Sequence, residues 1–316
     1  RSKVPKVHQA SEALIEQPPI DWIVNPLFST QSVNIIVGEG GSKKTYCLLD
    51  MMICIATGKD WLGMKTQQNP CLFIDEESGN RRMLRRLHEL LVGHGIKKSI
   101  PLYYTSLEQF NFRDKKQVEV LNGVMGHTKS KFVVIDALAD VILGADENST
   151  KDVLPVFNFL RSLSESTGSC LNIIHHTNRA GKYRGSSSIQ GAVDMMLGVE
   201  SNRKSSTIKF ESLKERDVAW LDFSASITFH SNSKVTIARA QPELNSIQSF
   251  TLHYFIGKPH TTISDLLKHN NGHAPESIRK AVYDLSRLEL IERTNNGGRG
   301  TSATYAPCKG VVKKSK

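Results

Sequence analysis

The sequence predicts an α/β protein with a mostly parallel sheet covered by helices on both faces, followed by a small α+β module. Three observations predict it. First, four short runs are apolar without alternation: "VNIIV" at 33 to 37, "CLFID" at 71 to 75, "KFVVID" at 131 to 136 and "CLNIIHH" at 170 to 176. Strands buried on both faces read this way. Second, helical segments separate these runs, at 45 to 57, 80 to 93, 115 to 126 and 151 to 166, and strands alternating with helices build a parallel sheet. Third, the texture changes twice toward the end of the chain. From Ser205 the runs "STIKFESLKERDVAWLDF" and "ASITFH" alternate polar and apolar, as antiparallel strands finishing a sheet do. From 249 the order becomes helix, helix, helix, strand, glycine turn, strand.

That last order is the layout of a winged helix-turn-helix, with "NNGGRG" as the wing turn. The expected organisation is therefore an N-terminal entry segment or linker over 1–30, the α/β domain over 31–232, a linker over 233–248, the winged-helix domain over 249–307 and a basic tail over 308–316. The opening residues "RSKVPKVHQASEAL" lack a secretory apolar core and begin at Arg1, so they are expected to start a fragment or to link from an upstream domain.

Composition narrows the class. The longest apolar stretch, "CLLDMMICIA" at 47 to 56, contains Asp50 and falls far short of the roughly 20 residues that span a bilayer, so no membrane partner is expected. The five cysteines form no C-x-x-C pair and four lie in apolar runs, where reduced thiols pack. A cytoplasmic protein without zinc or disulfides is the expectation. The net charge of +10 favours a polyanionic partner.

The stretch "GEGGSKKTY" at 38 to 46 carries the first chemistry. It fits G-x-x-x-x-G-K-[ST] except that Lys43 stands where glycine belongs. Such a loop works because consecutive backbone N–H groups meet phosphate at a helix N-terminus. Gly38, Gly40, Gly41, Ser42 and Lys43 form that loop, Lys44 reaches the β- and γ-phosphates of ATP, and Thr45 ligates Mg²⁺. Lys43 in place of glycine forces a left-handed backbone costing on the order of 1–3 kcal/mol, which bound phosphate can offset. Asp136, ending "KFVVID", supplies the carboxylate that holds Mg²⁺.

Hydrolysis also needs a group that positions water, and "CLFIDEESG" offers Asp75, Glu76 and Glu77. Here the chain resembles RecA-like ATPases, whose hydrophobic-hydrophobic-D-x-E segment ends in a water-polarising glutamate. The resemblance gives that role to Glu77, with Glu76 as the fallback. It also makes His176, in "LNIIHH", the candidate sensor of the γ-phosphate. The His175–His176 pair alone could be packed core or a metal site, but no third ligand at suitable spacing accompanies it. The following loop, "TNRAGKYRGSSSIQGA", offers Arg179, Lys182 and Arg184 as contacts to DNA phosphates.

In "ESLKERDV", Lys214 and Arg216 are two apart, so both side chains point the same way. This looks like the K-x-R element of hexameric replicative helicases, in which both cations reach a neighbouring subunit's ATP. The order of all these motifs over 33 to 223 resembles that of RepA-type plasmid and phage replicative helicases. The resemblance implies a homo-hexameric ring that moves on single-stranded DNA, with a fused or partner primase-polymerase.

The C-terminal module adds its own charge. From 245 to 316, eleven Lys and Arg stand against five acids, giving six of the ten net positive charges to less than a quarter of the chain. Ser277, Arg279 and Lys280 on the recognition helix and Arg299 at the wing tip are the candidate contacts to duplex DNA, with protein contact as the alternative. Two activities are expected as alternatives: an ATP-driven DNA helicase, or a RecA-like ATPase that loads or remodels proteins on DNA without unwinding.

Overall fold

Each apolar run without alternation becomes a strand buried on both faces, and the computed structural model describes them within residues 7–177, 187–202, 204–217, 222–240, 244–288, 290–295 and 302–308. The chain divides into two compact units, residues 1–240 and 241–316. In chain order the first unit begins with β1 (Trp22–Asn25), β2 (Phe28–Ser29), β3 (Val33–Gly38), α1 (Lys44–Thr57), β4 (Lys65–Thr66), β5 (Cys71–Asp75) and α2 (Asn80–Gly93). It continues with β6 (Leu102–Ser106), α3 (Lys115–Thr128), β7 (Phe132–Asp136), α4 (Thr150–Thr167), β8 (Cys170–His176) and α5 (Ser187–Ala192). Strands β9 (Met195–Glu200), β10 (Thr207–Lys214), β11 (Phe223–His230) and β12 (Lys234–Arg239) complete it.

Nine strands form one sheet in the order β12-β11-β10-β9-β3-β8-β7-β5-β6. The six strands β9, β3, β8, β7, β5 and β6 run parallel, and β10, β11 and β12 extend the sheet antiparallel. The parallel strands alternate between two apolar layers, as period-2 geometry requires. Ile36, Phe73 and Val134 face one core with Leu49, Met52 and Leu87 from α1 and α2. Ile35, Leu72 and Val133 face the other with Leu121, Phe157 and Leu160 from α3 and α4. Helix α1 is buried from Cys47 to Ala56 and therefore carries no polar face, whereas α2 buries only Met83, Leu87 and Leu90 and turns its arginines outward. This topology sets the carboxyl ends of β3, β5, β7 and β8 along one edge, the place where open α/β sheets bind ligands.

Several elements depart from the sequence reading. Residues 22–29, expected within an entry linker, pair as β1 and β2 with β4 and bury Ile23, Val24, Leu27 and Phe28. The linker expected from 233 instead carries β12, which pairs with β11 through Val235 and Ile237 because both keep the alternating pattern of a half-buried strand. Strand β6 was not anticipated, since "LYYTS" lies half-exposed at the sheet edge and lacks an apolar run. Strand β9 went unread for a similar reason, as Gly198 and Glu200 interrupt its short apolar stretch.

The second unit contains α6 (Ser246–Gly257), β13 (Thr261–Thr262), α7 (Ile263–Lys268), α8 (Pro275–Arg287), β14 (Ile291–Arg293) and β15 (Thr304–Pro307). Its first helix starts at Ser246 instead of 249, because Asn245 and Gln248 cap it reciprocally. Thr262 caps α7 through the Asp265 N–H, and Pro275 opens α8 at a position where its missing N–H costs nothing. The three helices and β14 bury Leu252, Phe255, Leu266, Ile278, Val282, Leu285 and Ile291, and the strands pair in the order β13-β15-β14. Among the described residues, no helix is long and apolar enough to cross a membrane.

Candidate nucleotide site

Gly38 ends β3 where the chain must pass very close to β9, since a Cβ there would sit 2.3 Å from the Val199 carbonyl oxygen. Only glycine fits. Gly41 takes φ 86°, and Ser42 N–H closes the turn onto the Glu39 carbonyl at 3.1 Å. Helix α1 then begins at Lys44, so the loop's backbone N–H groups and the helix N-terminus face the same edge.

Lys43 adopts the left-handed conformation that its position demands, φ 71° and ψ 16°. For a residue with a Cβ this costs about 1–2 kcal/mol. Its side chain does not join the loop's open face. The ammonium donates to Ser201 Oγ at 2.7 Å and to the carbonyls of Asn202 and Ser205 at 2.8 and 2.9 Å. As a candidate phosphate contact, Lys43 is thus corrected to a tether between the loop and the turn after β9, and what it offers phosphate is its backbone N–H. Lys43→Ala keeps the strained backbone and loses the tether, whereas Lys43→Gly loses the tether but relieves the strain. In chemical denaturation the alanine variant is expected to be less stable than the glycine variant by about 1 kcal/mol.

Lys44 is 4% exposed, and its ammonium donates to the carbonyls of Gly38 at 2.7 Å and Glu39 at 2.9 Å. Burial lowers its pKa to about 8, against the attraction of Asp136, Glu77 and Glu39. Thr45 donates its hydroxyl to Asp136 Oδ2 at 2.8 Å, joining the start of α1 to the end of β7. Asp136 is fully buried, and burial, helped by the nearby Glu77 carboxylate, pushes its pKa up to about 7. Among the described residues, its second oxygen, Oδ1, is buried without a hydrogen-bond partner, as is Thr177 Oγ1 just beyond β8. These residues fit a magnesium nucleotide: triphosphate beside Lys44 and a dication beside Asp136 would each restore a charge that burial disfavours.

The acidic cluster separates into three roles. Asp75 is fully buried and accepts from the N–H groups of Ser78 and Gly79 at 2.8 and 2.9 Å and from Ser106 Oγ at 3.0 Å, so it shapes the turn that leads into α2. Glu76 accepts from the N–H groups of Glu108 and Gln109 at 3.1 and 2.8 Å, which ties the turn to the segment after β6 and removes it as a fallback water-positioning group. Glu77 alone faces the loop. Its Oε2 lies 3.4 Å from His176 Nε2, and His176 Nδ1 lies 3.5 Å from the Lys44 ammonium. An Nε2–H tautomer satisfies both contacts, accepting from Lys44 and donating to Glu77. The His176 hydrogen bond and charge, with Asp136 and then Lys44 adding to them, outweigh burial and hold the Glu77 carboxyl below its ordinary range.

Strand alternation sends the two histidines to opposite sides. His175 is 1% exposed with its Nδ1 3.9 Å from Glu147, while His176 turns to the opposite side, toward the loop.

Three groups here escaped the sequence reading. Asp140, four residues beyond Asp136 in the turn Leu138–Val141, carries a carboxyl raised by burial and then by Glu77. Tyr46, next after Thr45, donates its hydroxyl to Glu89 at 2.7 Å and carries Arg86 over its ring at 5.8 Å. Phe229, 55% exposed at the end of β11, meets the Tyr46 ring edge-on at 5.4 Å. Tyr46 and Phe229 lie too far apart in sequence for any local pattern to join them.

Lys214 and Arg216 do not belong to this cluster. Both reach the same short segment: Lys214 donates to the carbonyls of Gln190 and Val193, and Arg216 to the Gly191 carbonyl at 3.0 Å and Asp194 Oδ1 at 2.9 Å. Lys214 pairs with Met196, and Met196 with Ile35. At about 3.3 Å per residue, that register sets it about 10 Å along the sheet from Gly38, toward the opposite edge. In the second unit, Arg279 and Lys280 are exposed on α8 and Ser277 is half-buried. Arg179, Lys182, Arg184 and Arg299 lie outside the described residues.

A family model described as an AAA domain matches residues 1–182, more than half of the chain. No curated protein matches.

Proposed function

Because the chain belongs to the AAA domain family of P-loop ATPases, we propose that it hydrolyses ATP to drive a helicase motor along single-stranded DNA, as a ring of identical subunits. The observation that carries this reading is the division of charge. Lys44, Thr45, Glu77, Asp136 and His176 converge at one edge of the sheet, whereas Lys214 and Arg216 sit toward the other. A cation pair that cannot serve its own chain's phosphate loop suits a site completed by a neighbour.

The loop N–H groups and Lys44 bind the β- and γ-phosphates. Thr45 and Asp136 would hold Mg²⁺, which when bound offsets charge on the phosphates. Glu77 accepts a proton from the attacking water, and His176, between Glu77 and Lys44, couples that carboxylate to the state of the γ-phosphate. Arg216 from an adjacent copy stabilises the charge that develops on the transferred group.

Phe229 with Tyr46 offers a stacking face for the base. Phe229→Ala is expected to raise the KM for ATP about tenfold, the effect of losing about 1.4 kcal/mol of base–aromatic stacking. Inhibition by inorganic triphosphate, which has no base, should stay unchanged; equal weakening of both would remove Phe229 from the base site.

DNA enters this reading through charge. The expected channel contacts are Arg179, Lys182 and Arg184, and the second unit is proposed as a winged helix that sets Ser277, Arg279, Lys280 and Arg299 against duplex DNA. Steady-state ATPase assays with and without single-stranded DNA test the motor reading. Stimulation by single strands supports it, and a turnover indifferent to DNA contradicts it. The second activity, loading or remodelling proteins on DNA, shares the site and differs only in lacking strand separation.

A further inference from the structure

Behind the phosphate loop, where α1 packs against the end of α2, three ligand-type side chains meet in the core. Asp50 and Cys54 are four residues apart on α1, so they lie on one helix face. His94 is the first residue beyond α2. One atom from each, a carboxylate oxygen, the Cys54 sulfur and a ring nitrogen, lies within 4.8 Å of the other two. Asp50 and Cys54 are 2% and 3% exposed, and the His94 side chain keeps 17%. None of the three has a role in the nucleotide site.

We propose that Asp50, Cys54 and His94 form a binding site for a transition-metal dication, with Zn²⁺ the ion that the donor set fits best. Carboxylate, thiolate and imidazole are the three ligand types zinc takes, whereas Mg²⁺ and Ca²⁺ take oxygen alone. Charge supports the assignment: one carboxylate and one thiolate neutralise a dication, which leaves no net charge in a buried position. The Asp50 carboxylate is also oriented from behind, since Trp61 Nε1 donates to its Oδ2 at 3.0 Å. That leaves Oδ1 turned toward His94 Nε2 at 2.7 Å. Bond lengths near 2.0–2.1 Å in a tetrahedral site require that pair to open to about 3.3 Å, a shift of about half an ångström. Three protein ligands leave the fourth tetrahedral position to a water molecule.

Without metal, Cys54 stays a thiol, since burial, with Asp50 adding to it, pushes its pKa up to about 12. A bound dication removes that proton. The ion ties together two helices with duties at the nucleotide edge. Helix α1 carries Lys44 and Thr45 at its start, and α2 follows the turn that bears Glu77. It is a structural clasp, and it stands whether or not the ATPase reading holds.

Cobalt is the probe. The full chain, stripped with chelator and titrated with Co²⁺, should take up one equivalent and develop a thiolate-to-cobalt charge-transfer band in the near ultraviolet. Cys54→Ser should lose that band, while Cys308→Ser, which removes a partly exposed cysteine outside the trio, should keep it. Zn²⁺ should displace the cobalt and raise the melting temperature of the wild type but not of Cys54→Ser; millimolar Mg²⁺ should do neither. Should Cys54→Ser fail to fold, His94→Gln at the partly exposed position serves instead, with cobalt affinity expected to fall tenfold or more. A wild type without a thiolate band, a band that survives Cys54→Ser, one that vanishes in Cys308→Ser, or unchanged affinity in His94→Gln overturns the site and leaves Asp50 and His94 a buried polar pair.

Discussion

Glu77→Gln is expected to bind ATP as tightly as the wild type and to lower turnover by about 10²–10⁴, the contribution of a positioned general base. The amide keeps the shape and the contact with His176 Nε2 at 3.4 Å but cannot take a proton from water. The control is Glu76→Gln. Glu76 spends its carboxylate on the backbone of Glu108 and Gln109, so its amide should leave turnover within a few-fold of wild type while loosening the turn. Single-turnover hydrolysis with nucleotide binding measured in parallel separates the two, and a larger loss of turnover for Glu76→Gln would reverse their roles.

Arg216→Ala should cost about 10³–10⁵ in turnover with nucleotide binding retained, the range for an arginine supplied across an interface. A competing explanation lies in its own chain. Arg216 pairs with Asp194, whose other oxygen accepts from Val33 N–H at 2.9 Å at the start of β3. If Arg216 only holds that corner, its loss lowers stability and acts on its own subunit. Mixing decides between them. Arg216→Ala chains keep an intact Glu77, and Glu77→Gln chains keep an intact Arg216, so mixed rings contain interfaces with both. The mixture should recover part of the turnover that neither variant shows alone. No recovery, together with a lowered melting temperature for Arg216→Ala, would make the arginine structural.

The strands that bear the site were legible because each is apolar on both faces, and β5, β7 and β8 end in a polar residue while β3 ends in the first glycine of the loop; β5 and β8 have the bounds that their sequences mark, and β3 and β7 differ by one residue. The loop followed from its spacing and Asp136 from its place at a strand end; that Thr45 donates to Asp136 is seen only in the structure. What the sequence could not give were relations between distant segments. Glu76 and Glu77 are adjacent and chemically alike, and only the segment after β6, more than thirty residues on, assigns one of them to backbone and frees the other. The sequence placed Lys43 in the loop and marked its strain, but not the turn at Ser201–Ser205 that takes its ammonium. Phe229 beside Tyr46, and His94 beside Asp50, depend on packing across the sheet and between helices, and no periodicity within a window reports such contacts. Short or edge strands such as β1, β2 and β6 were missed because pairing, not local composition, makes them strands.

A motor of this kind converts hydrolysis at Glu77 into movement on DNA. A forked duplex with a labelled strand, incubated with the full chain, Mg²⁺ and ATP while phosphate release is recorded, tests it most directly. Strand separation that requires hydrolysable ATP and disappears in Glu77→Gln is the predicted result. Rapid, DNA-stimulated phosphate release with the duplex left intact would contradict it and turn the reading to an ATPase that acts on DNA-bound proteins.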